Sequence, residues 1–324
     1  MSRTFPNELF EAIISSVAAV RRLSPEDRQT LRNCALVCRD WLLPSRHALF
    51  SDVNLATPAA WDSFLSWVVK TEEGRPWLAS IYRLQFDNHD EPCPPLPKGP
   101  KDALAKPTSK WRGHCFVPIL AGHLPNLESL SLSVDWGWHR PPPPPTTFWM
   151  FSQFLSLREL QLTMCEFPSF CAFRRVLVAL PALKSLLCEH VHWGSEPQAI
   201  ILPIPSKRPA LQSLSTTFAF RGWLLAFLEW LVQTPTRSTL VEWNLEYPIP
   251  SESQLGPDRT INYYAQIFAP HIRRLSLINF RVGDATCTSM ILPITTLPVN
   301  IFVVICSQYL HAHLRKFGLP QPHG

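Results

Sequence analysis

The chain has 324 residues, 46% of them hydrophobic and only 17% charged, with 33 prolines against 11 glycines. So apolar a composition excludes a disordered chain, and so much proline predicts many short elements joined by rigid turns rather than long helices. The net charge of +5 is spread without a dense lysine or arginine block, which argues against a nucleic-acid or membrane-surface protein.

The nine cysteines are odd in number and irregularly spaced, and the N-terminal stretch MSRTFPNELFEAIISSV carries Glu8 and Glu11 where a signal peptide would be uniformly apolar. A reducing compartment, cytoplasm or nucleus, is expected. Pro6 suits a first helical position, and Leu9, Phe10, Ile13, Ile14 and Val17 follow at a 3.6-residue rhythm. Ser24-Pro25-Glu26-Asp27 then supplies a cap hydroxyl, a proline and acidic residues for a second helix running to about Asn33. From Cys34 to Leu43 a third helical stripe continues through Leu36, Val37, Cys38, Trp41 and Leu42, until Pro44 interrupts it. Cys34 and Cys38 are expected to pack between helices. A zinc site would need two further ligands, with only His47 near, and no helix N-terminus or Cys-x-x-Cys spacing is expected to activate a thiol.

Three short helices have too much surface for their volume to cover all these apolar side chains, so another surface must cover some of them. The stretches FPNELFEAII and TLRNCALVCRDWLLPSRHALFSDVNL resemble an F-box, in the form common in large families of fungal F-box proteins. The resemblance spans about Phe5 to Leu55, and Leu36, Val37, Cys38, Arg39 and Trp41 are its most specific part. It implies that residues 1–50 are a three-helix unit docking on a Skp-type adaptor, and through it on a cullin-RING ubiquitin ligase. By position, Pro6, Leu9 and Ile13 are the implied first-helix contacts, and Leu36, Val37 and Trp41 those of the third helix. Phe5 stands where the family usually has leucine, and the link from Ala18 to Pro25 is longer than usual. Ile14 and Cys34 are assigned to the unit's own core.

Beyond the first fifty residues the pattern Leu-x-x-Leu-x-Leu recurs. It appears as Leu127-Leu130-Leu132 and Leu157-Leu160-Leu162, then more loosely as Leu183-Leu186-Cys188, Leu211-Leu214-Thr216, Leu240-Trp243-Leu245 and Ile272-Leu275-Leu277. Successive copies begin 30, 26, 28, 29 and 32 residues apart. These are leucine-rich-repeat spacings, and residues 51–310 resemble an irregular array of that kind, a substrate-binding region of short parallel strands with helical or irregular returns. The predicted fold class is therefore α/β, an F-box followed by a leucine-rich-repeat-like solenoid, with an array of helical hairpins as the competing architecture. Val53–Leu55 and Ile81-Leu84-Phe86 join the first helices to the array, and Ile301-Val304-Cys306 is expected as its last strand, before a cap or tail at 311–324. Phe170–Leu180 and Gly222–Val232 are expected as helical returns, with Trp223, Phe227, Trp230 and Leu231 in the core. Cys165 takes the place at which such repeats carry asparagine or cysteine to bond the turn backbone. Proline-rich inserts are predicted at about 91–110 and 139–147, and the run Pro141–Pro145 suits either an aromatic groove or a stiff connector.

Alternation along each strand points the remaining residues to the opposite face. That face would carry Glu159, Gln161, Glu189, Glu242, Asn244, Glu246 and Arg274 among serines and threonines, four glutamates to one arginine. It suits a basic or hydrogen-bonding protein segment; the alternative is a solvated face, with binding on loops. No phosphate loop, His-Glu-x-x-His pair or Gly-x-Ser-x-Gly elbow is present. His190 and His192 would share a strand face without a third ligand, so neither metal, cofactor nor catalysis is expected. The function expected is that of a substrate receptor of a ubiquitin ligase; the alternative is a repeat scaffold uncoupled from one.

Overall fold

The helical rhythm of the first fifty residues yields three helices. In the computed structural model, which describes residues 7–18, 23–87, 116–133, 145–193, 207–218, 221–249 and 259–281, α1 spans Asn7–Ala18, α2 Pro25–Val37 and α3 Arg39–Ser51. Helix α2 starts at a reciprocal cap: the Ser24 hydroxyl accepts the Asp27 N–H at 3.1 Å, and the Asp27 carboxylate accepts the Ser24 N–H at 3.0 Å. Two expected boundaries are corrected. Helix α2 runs to Val37 and breaks only at Cys38, whose backbone is extended, and α3 passes straight through Pro44. Pro44 removes the one N–H that would bond the Asp40 carbonyl, and Asp40 is exposed, so water can hydrate that carbonyl.

The three helices close on a small core of Ile14, Leu23, Leu31 and Ala48, with Val17, Trp41 and Leu49 packed against it. This core is separate from the main one. A buried carboxylate makes the joint: Asp52 accepts the Leu23 N–H at 3.0 Å and lies 3.4 Å from the Arg28 guanidinium. Beside it, His47 Nδ1 meets the Ser80 hydroxyl at 2.6 Å, and the Phe50 ring stacks between Trp67 and Trp77 at 5.8 and 5.4 Å.

Among the described residues ten strands follow in the order β1 Asp52–Leu55, β2 Arg83–Asp87, β3 Ser129–Ser133, β4 Glu159–Thr163, β5 Glu166–Phe167, β6 Ser185–Glu189, β7 His192–Trp193, β8 Ser213–Thr217, β9 Glu242–Ile249 and β10 Arg274–Arg281. Between them lie α4 Pro58–Phe64, α5 Phe116–Leu120, α6 Pro145–Met150, α7 Phe170–Ala179, α8 Arg221–Val232, α9 Thr236–Thr239 and α10 Arg259–Phe268. Eight strands form one parallel sheet in the order β1-β2-β3-β4-β6-β8-β9-β10, and β5 pairs with β7. The protein is thus mixed α/β, with each strand of the large sheet bonded to the next one in the chain.

Register follows the repeated leucines. Leu84, Leu130, Leu160, Leu186, Leu214, Trp243 and Leu275 stand opposite one another in one buried row. Phe86, Leu132, Leu162, Cys188, Thr216 and Leu245 form the next. A one-residue slip would expose both rows together, which is why the pattern specifies the pairing. The returns α7 and α8 lie where helices were predicted, and Phe227, Trp230 and Leu231 are buried as expected, with Trp223 packed against the core. Cys165 is buried with its thiol 3.4 Å from the Leu132 carbonyl. The insert placed at 139–147 is shortened, since Pro145 opens α6, where proline fits the first turn. Residues 91–110, the strand expected at Ile301–Cys306 and the tail 311–324 lie outside the described residues.

Two strand ends carry backbone that leucine-type patterns do not announce. Met164 and His190 follow β4 and β6 with φ of 54° and 53°, and each N–H donates at 2.7 Å to the last residue of the next strand, Glu189 and Thr217. The left-handed turn ends β6, so His190 and His192 do not share a strand face as expected. Met164 is half exposed, so little packing is at stake there. Met164→Gly is expected to raise the unfolding free energy by about 0.5–1 kcal/mol in urea denaturation, and Met164→Val to lower it by about 1 kcal/mol or more. A glycine variant less stable than the parent would refute this account of the turn.

Candidate docking surfaces

The helical unit presents apolar side chains that its own core does not use. Leu9 and Ile13 are 49% and 47% exposed on α1, and at the end of α2 Leu36 and Val37 are 84% and 65% exposed. Leu36 and Val37 ride on the last turn of α2, which extends past the core before the chain breaks at Cys38. Trp41 is different: it is half-buried and packs against Ile14, Leu23, Leu31 and Ala48. Pro6 lies outside the described residues. Leu43, exposed on α3, belongs to the same class and was hidden by the expectation that Pro44 ends the helix. It borders a groove of about 380 Å³ between α1 and α3, together with Glu11, Ile14, Pro44, His47 and Ala48.

The cysteines of this unit need a correction. Cys34 is half-buried, but Cys38 is exposed and occupies the cap position of α3, so it neither packs between helices nor lacks a helix N-terminus.

On the large sheet, the predicted polar residues do share one face, in three rows. The first holds Arg83, Ser129, Glu159, Ser185, Ser213, Glu242 and Arg274. The second holds Gln85, Ser131, Gln161, Leu187, Ser215, Asn244 and Ser276. The third runs Asp87, Ser133, Thr163, Glu189, Thr217, Glu246 and Ile278. Glu159, Gln161, Glu189, Glu242, Asn244 and Glu246 are half-exposed, and Arg274 is exposed.

The charges are not equivalent. Arg274 donates to Glu242 at 2.9 Å across neighbouring strands, which neutralises that end of the first row. Arg83 stands in the same row and Asp87 in the third, so with β2 included the face carries five acids to two bases, and over those strands the first row is balanced, Glu159 and Glu242 against Arg83 and Arg274. Alternation applied to the weaker Ile81-Leu84-Phe86 copy would have found Arg83 and Gln85. The third row stays acidic. There Thr163 donates to Glu189 at 3.3 Å and Thr217 to Glu246 at 3.1 Å.

Other polar groups serve the fold. Tyr264 donates to Glu229 at 2.6 Å, tying α10 to α8, and burial, then the carboxylate, push its phenol pKa up so that the proton stays on it. Burial likewise raises the Cys188 thiol well above its ordinary value, aided by Cys165 and Glu189, so it remains an inert core thiol. His192 Nε2 lies 3.7 Å from Glu166, and its ring stacks on Trp223 at 5.7 Å. Among the described residues no three histidine, cysteine or carboxylate side chains converge as a metal site would require, and no helix is long and apolar enough to cross a membrane. No family model matches the chain, and no curated protein matches it.

Proposed function

We propose that the chain is a substrate receptor of a cullin-RING ubiquitin ligase: residues 7–51 form an F-box that docks on a Skp-type adaptor, and residues 52–281 form a leucine-rich-repeat-like array that holds a protein target. It works in the cytoplasm or nucleus and performs no catalysis itself. Its contribution is proximity, raising the effective concentration of target lysines near a charged conjugating enzyme.

One observation carries this reading. Leu9, Ile13, Leu36 and Val37, four of the six residues that the F-box resemblance assigns to the adaptor, are exposed, and Ile14, assigned to the interior, is buried, whereas Trp41 is half-buried against the unit's own core. Covering such side chains on a partner is worth roughly 1.5–3 kcal/mol for each one fully buried. The leucine-rich-repeat reading draws on strands bonded in chain order at near-repeat intervals.

The test is a pull-down of the full chain with a purified Skp-type adaptor. Leu36→Asp with Val37→Asp should reduce binding at least about tenfold while the circular dichroism spectrum stays unchanged, because a carboxylate at either site must be desolvated in the interface. Absence of binding by the parent chain would favour a repeat scaffold uncoupled from ubiquitin transfer.

A further inference from the structure

The third row of the sheet face sets the chemistry of what can lie on it. From β2 to β9 its positions are hydroxyl or carboxylate residues, Ile278 of β10 follows beside Glu246, and no lysine or arginine occupies the row. Glu189 and Glu246 are two strands apart, with Thr217 between them in register. Each carboxylate is bonded to the threonine on the preceding strand, Glu189 to Thr163 and Glu246 to Thr217. Both head groups are therefore displaced in the same direction, and their separation stays at two strand spacings, about 9.6 Å.

That distance discriminates among extended chains. In a β-strand, same-side residues recur about every 6.7 Å, which misses it. In polyproline II, three residues complete a turn and advance about 9.3 Å, so residues i and i+3 face the same way at nearly this spacing. The adjacent second row offers amides and hydroxyls, Gln161, Ser215 and Asn244, suited to a backbone without internal hydrogen bonds. Basic side chains pair with the third row, and the first row already holds its own cation in Arg274.

We propose that this face takes a polyproline II segment of a protein partner carrying two arginines or lysines three residues apart, seated on Glu189 and Glu246. The inference rests on the reading of the sheet face as the target-holding surface and adds the class of target. Arginine is the better fit, since its planar fork can bond a carboxylate through two N–H groups.

Fluorescence anisotropy with the full chain tests it, using a labelled peptide Pro-Pro-Arg-Pro-Pro-Arg-Pro-Pro. A peptide of equal composition with its arginines two residues apart should bind several-fold more weakly. Glu189→Gln with Glu246→Gln, which keeps shape and the threonine bonds, should weaken the first peptide about tenfold, and raised salt should do the same, while Glu72→Gln, at an exposed position off the sheet, leaves it unchanged. Equal binding of the two peptides, an unaffected double variant, or no binding at millimolar peptide each overturns the proposal. Adaptor docking through Leu36 and Val37 is measured separately: retained docking without peptide binding refutes this inference alone, and peptide binding without docking refutes the ligase reading alone.

Discussion

Phe173→Ala is expected to remove about 3–5 kcal/mol from the unfolding free energy, measured by denaturant titration. Phe173 is fully buried at the centre of an aromatic cluster, with Phe167 at 5.2 Å, Trp193 at 5.7 Å, Phe227 at 5.5 Å and Phe170 at 6.3 Å. Its neighbours come from β5, β7, α7 and α8, so they cannot all move inward to fill the space. The loss therefore contains a cavity cost besides the transfer of the ring, and Phe173→Leu should cost less than half as much. A loss below about 1 kcal/mol for the alanine variant would mean that the cluster is not packed as described.

Leu31→Ala is expected to act locally, and with a larger consequence for binding. Leu31 is fully buried in a core that, among the described residues, has four buried apolar side chains, and its truncation costs about 2–5 kcal/mol. The main core shares none of those residues. Hydrogen exchange should therefore accelerate across α1, α2 and α3 while β3, β4, β6 and β8 keep their protection. The adaptor binding proposed above should fall with it, since Leu9, Ile13, Leu36 and Val37 lose their fixed arrangement. Uniform acceleration over the whole chain would instead show that helices and sheet open as one unit.

The parts of the fold that were legible in the sequence are those where one side-chain period dominates. Leucines repeating at near 30-residue intervals specified the strands, their register and their buried face, because a parallel strand buried on one side cannot slip without exposing its row. Ser24-Pro25-Glu26-Asp27 likewise announced the start of α2 through its cap chemistry. The misses lie where backbone conformation departs without its usual marker. Cys38 breaks a helix with neither glycine nor proline there, and Pro44, a usual stop, is tolerated because the carbonyl it leaves belongs to an exposed residue. Met164 and His190 take left-handed backbone without being glycine or asparagine.

On the candidate surfaces the sequence placed the residues but not their pairing. Glu242 and Arg274 occupy equivalent repeat positions 32 residues apart, and treating that equivalence as adjacency would have paired them in advance. Trp41 was expected as a contact alongside Leu36 and Val37, yet it is half-buried in the unit's own core while they are exposed. Helical periodicity alone does not separate those roles, because all three lie on one apolar stretch and only the break at Cys38 sets them apart.

Strand neighbours in the large sheet are also neighbours in the order of synthesis. A nascent polypeptide emerging from the ribosome can therefore dock each new segment on the edge laid down just before it, closing a loop of modest length at every addition. Growth is vectorial, with the helices and β1 as seed and the newest strand always the open edge. A chain halted after β8 should retain a compact folded body, whereas excision of β4 from the middle should leave two fragments with no matching edge between them.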